Sequence, residues 1–194
     1  WAWCSVHQSP PGKRQWPAWR SIAVVPVLEV SNFTKLNFEA DIIEWQDNDG
    51  FQHAFDKAFQ LLGDDFTLGI EGQLMRAFEM QAITKATKNI VIENAHKIIS
   101  KIRLNKDEYE IKNLTKAIEV AELALKNTLD FVKEGLTEVE IKSFLMQQLL
   151  KFGAHDIAFE PLVLAGSNSA LCHGHSRNDY KITNGDCLLF DFGA

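Results

Sequence analysis

The sequence predicts an α+β fold, with helices layered on a mostly antiparallel sheet. Two observations predict it. Over 107–132 apolar residues recur at steps of three and four, and a second helical stretch with its own start signal follows directly. After Gly153 the pattern changes to short strand-like runs separated by turn residues, without strict alternation of strand and helix.

Residues 1–20 stand apart from this pattern. Lys13, Arg14 and Arg20 give them +3 with no acid, against −9 for the remainder of a chain whose formal charge is −6. They hold Trp1, Trp3, Trp16 and Trp19 with Pro10, Pro11 and Pro17, and show neither helical nor strand period. The stretch reads as a leader outside the fold, vector-derived, frame-shifted or a tail; the functional alternative is a Trp/Pro docking segment.

From Ser21 the elements follow in order. The run 23–30 reads as a strand containing Pro26, hence an edge strand or a strand end, because proline has no N–H for a ladder. Over 51–62, Phe51, Phe55, Phe59 and Leu62 share one helical face. A short strand at 67–71, a weaker helix at 72–83 and a β-prone run at 89–92 come next. In the long helix Ile111, Leu114, Ile118, Ala121, Leu125, Leu129 and Val132 form a stripe expected to pack on a flat apolar surface. Its charged start, 106–110, reads as a solvated first turn favoured by the helix dipole. Gly135 reads as its left-handed cap. Thr137-x-x-Glu140 is a capping box that opens the second helix, with Ile141, Leu145 and Leu149 facing inward and Gly153 closing it. A strand at 161–165, a polar loop at 166–179, a turn at Asn184-Gly185 and a strand at 187–192 complete the chain.

Composition narrows the function classes. With 194 residues, 46% hydrophobic and 24% charged, the chain is neither a disordered tail, a collagen-like fibre nor a disulfide-dense miniature. Its longest apolar run, 22–28, is interrupted by Pro26 and falls far short of the roughly 20 residues of a membrane span. No membrane partner is therefore expected, and because the run lies too far in and no small-residue cleavage site follows it, a signal peptide is a poor reading. Cys4, Cys172 and Cys187 are an odd set without a CxxC pair, so no disulfide framework is implied and a reducing, cytoplasmic setting fits. The acidic balance disfavours nucleic acid.

Two places could carry chemistry. In the last strand, alternation sets Leu188, Phe190 and Phe192 on one face and Cys187, Leu189 and Asp191 on the other. An aspartate in a buried strand must be paired, hydrogen-bonded or metal-bound, so Asp191 is either a metal or catalytic carboxylate or a cap on the turn beyond the strand. The second place is Cys172-His173-Gly174-His175, in a loop between two strands, where binding groups concentrate. His173 and His175 are ligand candidates without the paired spacing of a zinc finger. Cys172 is a nucleophile candidate, or simply a half-buried thiol. His7, His53, His96 and His155 have no partner at ligand spacing, and the single glycine of Gly166-Ser-Asn-Ser-Ala170 is no phosphate loop.

Taken together, a series of short motifs occurs in a fixed order. It runs Arg103-x-x-Lys-Asp-x-x-x-Ile111, Gly135-Leu-Thr-Glu138, Phe159-x-Pro-Leu-Val163, Gly166-x-Asn-Ser-Ala170, His173-Gly174, Gly185-Asp186 and Asp191-Phe-Gly-Ala194. This series resembles the Xaa-Pro aminopeptidase, prolidase and creatinase family, densely over 102–194. Upstream, Val25-Pro-x-Leu-Glu29, Trp45-x-Asp47 and Leu68-Gly-Ile-Glu71 resemble the second half of that family's N-terminal domain. The resemblance implies three segments: 1–20, an unmatched leader; 21–100, the second half of a creatinase-like N-terminal α/β domain; and 101–194, the first part of a catalytic domain with the pita-bread fold, helices on a curved, mostly antiparallel sheet.

The resemblance further implies a proline-directed metallo-exopeptidase, an aminopeptidase or dipeptidase. In such enzymes two divalent metal ions, manganese first with cobalt or zinc as alternatives, hold a bridging hydroxide that attacks the scissile carbonyl. Asp191 matches the first metal-binding aspartate, and His173 the histidine that contacts substrate beside the scissile bond and assists catalysis. The family's other metal ligands would lie beyond Ala194, so this stretch alone is expected to be inactive. The implied partner is a peptide with proline at its second position, and the full-length form is expected to be a homodimer. Cys172 and Ser176 stand where the family carries prolines. The alternatives are a non-catalytic pita-bread binding protein and a creatinase-type C–N hydrolase; a methionine aminopeptidase is disfavoured by the upstream segment.

Overall fold

The computed structural model describes residues 21–194 together with the backbone of Ala2–Ser5. It divides into two compact units, Trp1–Asn105 and Lys106–Ala194.

In the first unit, strands β1 (Ala2–Ser5), β2 (Ser21–Pro26) and β3 (Asp41–Trp45) form one sheet in that order. Strand β1 runs antiparallel to β2, with Ala2 opposite Val24 and Ser5 opposite Ser21. These four residues of the expected leader are therefore paired into the sheet; backbone pairing over so short a stretch needs no side-chain period. Residues 6–20 lie outside the described residues. Strands β2 and β3 are parallel, Ile22 opposite Asp41 and Pro26 opposite Trp45.

Pro26 ends β2, but the strand expected to run on to Val30 does not. Helix α1 (Val27–Thr34) begins at the next residue, with Pro26 in extended geometry as its N-cap. The missing N–H that stops a ladder costs nothing ahead of a helix's first turn. Helix α2 (Gln52–Leu62) buries Ala54, Phe55, Ala58, Phe59 and Leu62 against the core, as its period predicts. Parallel strands β4 (Thr67–Ile70) and β5 (Val91–Asn94) flank α3 (Ala77–Ala86) in sequence, and α4 (His96–Leu104) closes the unit. Helix α3 starts later than the sequence suggests because its cap is Arg76, whose backbone N–H donates to Glu79 Oε2 at 2.8 Å. Trp45, Phe51, Phe55 and Phe78 line a cavity of about 400 Å³, with the Arg76–Glu79 ion pair in its wall.

The second unit opens with α5 (Glu108–Phe131), one continuous helix as expected. Its first turn is an exposed capping box. Asp107 Oδ1 accepts from the Glu110 N–H at 2.8 Å, and Glu110 Oε2 from the Asp107 N–H at 2.9 Å. The buried face, however, is not the expected stripe. Val120, Ala124 and Thr128 are buried, whereas Ile111, Leu114, Ile118 and Leu129 are each more than half exposed. Small residues let a neighbouring helix approach closely, and apolar count alone does not reveal that. The helix ends at Phe131 on an extended Val132; Gly135, at φ 88°, lies in the following turn and gives its N–H to the Ile182 carbonyl instead of capping α5.

Helix α6 (Glu138–Lys151) has the predicted capping box, and Gly153 follows its C-cap at φ 106°. Ile141, Leu145 and Leu149 form a solvent-free core with Val163, Ala165 and Ile182. Phe131 of α5 stacks on Phe144 of α6, ring centroids 4.0 Å apart. Strands β6 (Leu162–Ala165) and β7 (Leu188–Asp191) are antiparallel, Leu162 opposite Asp191 and Ala165 opposite Leu188. Leu188, Phe190 and Phe192 pack half-buried on this core.

Candidate functional site

The site is built on the N-terminus of α6. Thr137 caps the helix, which leaves Glu138 at its first helical position with the carboxylate turned into the protein and no exposed surface. A carboxylate there gains from the helix dipole but must replace lost water with donors. Five are present. The Ala165 N–H donates to Oε1 at 2.6 Å, Asn168 Nδ2 to Oε2 at 3.0 Å, the Arg177 N–H to Oε2 at 2.5 Å, Arg177 Nη2 to Oε1 at 2.9 Å and Arg177 Nε to Oε2 at 3.2 Å. Burial pushes the Glu138 carboxyl up, and the donors from Arg177, Ala165 and Asn168 outweigh it, holding the group below the usual carboxylate range.

From this carboxylate the network spreads into the loop between β6 and β7. Asn168 Nδ2 also donates to the His175 carbonyl at 3.0 Å, and Arg177 Nη2 to the Ala165 carbonyl at 2.8 Å. Ser176 Oγ donates to the Val163 carbonyl at 2.9 Å. The Arg177 guanidinium lies over the Tyr180 ring, 4.2 Å from its centroid, and Tyr180 Oη donates to Asp186 at 2.9 Å. That hydrogen bond raises the Tyr180 phenol, while Asp186 is lowered first by the Thr183 N–H and then by Tyr180. Gly166, at φ 53°, passes so close that a Cβ would meet Tyr180 Oη at 2.9 Å and Asp186 Oδ1 at 3.1 Å.

His173 projects from this loop with its side chain exposed, next to a buried Gly174. A Cβ on Gly174 would meet Leu164 Cδ1 at 3.0 Å and Asn168 Oδ1 at 3.2 Å, so the chain beside His173 is packed tightly on the strand below. His175 is exposed, and its carbonyl accepts from Asn168. Cys172 and Cys187 are exposed free thiols, so Cys172 is not half-buried. Asp191 is exposed, not enclosed in a buried strand, because it is the last residue of β7, past the half-buried Leu188 and Phe190 that pack on the core.

Residues 112–194 match the metallopeptidase family M24. An Xaa-Pro dipeptidase of Pyrococcus furiosus is 31% identical over 141 residues, 72% of this chain and 40% of that protein. The chain resembles the M24 Xaa-Pro peptidases. A prolidase from Thermococcus sibiricus superposes with a TM-score of 0.80 at 25% identity, covering 90% of this chain and 47% of its own. An X-Pro aminopeptidase from Thermotoga maritima superposes at 0.73 and 26%, covering 90% and 49%. The expected pita-bread architecture is thus present, and the chain spans about half the length of the relatives it matches. M24 metallopeptidases imply divalent metal. Among the described residues no three His, Cys, Asp or Glu side chains gather into a set that could hold one. No described helix is long and apolar enough to cross a membrane.

The family resemblance points to His173 and Asp191 but not to the network around Glu138. Glu138, Asn168 and Asp186 lie within its motifs without a role of their own, and Arg177 lies in none. The available signal was an acid directly after a helix cap, in front of a second acid that already completed the capping box.

Proposed function

We propose that the chain is the front portion of a proline-directed M24 metallo-exopeptidase, an Xaa-Pro aminopeptidase or dipeptidase. The observation that carries the reading is the ordered M24 pattern over 112–194, with His173 exposed on a tied loop. In this reading His173 contacts the substrate beside the scissile bond and assists the reaction, and Asp191 supplies the first metal-binding carboxylate. The complete protein takes two divalent ions, manganese first and cobalt or zinc as alternatives, which supply an activated water and clamp developing charge. Its substrate is a peptide with proline at the second position. It is a homodimer working in the cytoplasm, a setting supported by the exposed Cys172 and Cys187 thiols. Residues 21–100 are the second half of a creatinase-like N-terminal domain.

The test is an assay of the complete protein and of residues 21–194 with Mn²⁺, Co²⁺ or Zn²⁺, on an Xaa-Pro dipeptide and an Xaa-Pro-Xaa tripeptide. The complete protein turns over one of them. Asp191→Ala abolishes turnover and weakens metal uptake with little effect on folding. His173→Ala keeps its metal and loses kcat more than KM, because the group acts at the transition state; His175→Ala is milder. The shorter piece is inactive. A complete protein that hydrolyses neither peptide sinks the reading, and equal losses at His173 and His175 sink the residue assignment.

A further inference from the structure

The donors that converge on Glu138 come from both sides of His173. Ala165 and Asn168 precede it; Arg177 follows it; and Asn168 reaches across to the His175 carbonyl. These partners are 27, 30 and 39 residues from Glu138 along the chain, so the carboxylate closes one loop at several points at once. Between the ties the loop's own hydrogen bonds among the described residues are local ones: the Leu171 N–H to the Asn168 carbonyl at 3.0 Å, the Gly174 N–H to the Leu171 carbonyl at 3.4 Å and Ser169 Oγ to the Gly166 carbonyl at 2.6 Å. Gly174 seats the backbone on Leu164, but local bonds of this kind do not by themselves fix where the exposed His173 side chain is presented.

We infer that Glu138 is a positioning residue for His173: the buried anchor that ties the 165–177 loop so that the exposed imidazole is presented in one place. The inference rests on reading His173 as the substrate-contact group. Its chemistry is that of a carboxylate serving as a preorganised acceptor. Oε1 takes the Ala165 N–H at the end of β6 and Arg177 Nη2, Oε2 takes the Arg177 N–H, and the Asn168 amide and Arg177 Nε reach both oxygens. Neutral glutamine at this position keeps the shape but offers one acceptor oxygen and an amide that faces donors. Ser176 ties the loop to β6 independently, so losing the anchor loosens the His173 segment without unfolding the unit. A misplacement of about 1 Å at a reacting group is enough to cost about a hundredfold in rate.

The experiment has two arms. In the 194-residue chain, amide exchange across 168–177 and the His173 imidazole resonances are compared among wild type, Glu138→Gln and Arg177→Lys. The expected result is exchange of the loop faster by about tenfold or more, with α6 and β7 within about twofold of wild type, and a His173 resonance averaged toward that of free histidine. Unchanged loop exchange, or equal acceleration across the whole unit, overturns the inference. Should Glu138→Gln fail to fold, Arg177→Lys, which keeps the charge but not the fork, decides by the same criterion. In the complete protein, either variant lowers kcat on an Xaa-Pro dipeptide about tenfold or more, with KM and metal content unchanged. A rise in KM alone overturns it. A complete wild type with no Xaa-Pro turnover refutes the peptidase reading instead, and the exchange arm still decides the anchor.

Discussion

Arg177 Nη2 stands 2.9 Å from Oε1 of Glu138, across 39 residues of chain. The carboxylate side chain has no exposed surface, while the arginine side chain is 31% exposed. The pair is therefore asymmetric: one end depends wholly on protein donors, and the other retains partial access to water. Removing the arginine strands a buried charge, whereas removing both charges leaves no charge stranded.

The first prediction follows from that asymmetry. Arg177→Met alone destabilises the unit more than the double change Glu138→Gln with Arg177→Met. Urea unfolding of wild type, both single variants and the double variant measures the coupling directly. A double variant no more stable than Arg177→Met would show that Glu138 draws its support from the N–H groups of residues 165 and 177 and from Asn168, without the guanidinium.

A pH dependence follows from the same carboxylate. Its folded value lies below the unfolded one of about 4.3, so its contribution is complete above that pH and is lost as pH falls through the lower, folded value. Other carboxylates with lowered values, Glu79, Glu140, Glu160 and Asp186, add to the acid sensitivity of the wild type. The informative quantity is thus the stability of wild type minus that of Glu138→Gln. It is flat from about pH 7 to 5 and shrinks below about pH 4. A difference that grows on acidification contradicts the geometry.

Gly166 offers a test of the Tyr180–Asp186 contact. A side chain at φ 53° is strained by about 1–2 kcal/mol wherever it occurs. At Gly166 it also displaces the Tyr180 hydroxyl and the Asp186 carboxylate, whereas at Gly135, φ 88°, nothing lies within 4 Å of the added Cβ. Gly166→Ala therefore costs more stability than Gly135→Ala and moves the Tyr180 absorbance titration toward lower pH, because the bond that raises the phenol is lost. Equal costs with an unmoved titration would mean that Tyr180 and Asp186 yield freely.

Much of this arrangement could be read in the chain. Helix α6 was legible at both ends because its signals are local: a threonine and glutamate three residues apart at the start, a glycine just after the last turn. Strand β7 and the 166–187 connection were legible from alternation and turn residues. The specific roles proposed for His173 and Asp191 come from the family resemblance alone, not from any local pattern. The Glu138–Arg177 pair was not legible, since its members meet only after β6 is laid on α6, and no spacing rule links residues so far apart. Strand β3 and helix α4 lacked a long enough apolar period to stand out. Pro26 was read correctly as a strand end but not as a helix start, because the same missing N–H serves both.

The face of α5 separates pattern from packing, and it can be tested by substitution. Ile118 belongs to the apolar stripe but is 57% exposed, while Ala124, outside the stripe, is completely buried. Thr128 is buried beside it and satisfies its hydroxyl on the Ala124 carbonyl at 2.8 Å, so a polar residue is tolerated on the packed face. Ile118→Ser should then change stability by no more than about 0.5 kcal/mol in this chain. Ala124→Leu must push α6 away or force a strained rotamer, at about 1–3 kcal/mol. Leu145→Ala, on the α6 side of the same core, should cost about 2–5 kcal/mol. Chemical denaturation of the three variants supplies the ranking. If Ile118→Ser proved as damaging as Ala124→Leu, the stripe and not the small-residue face would be the one that packs, and α5 would be rotated from its position here.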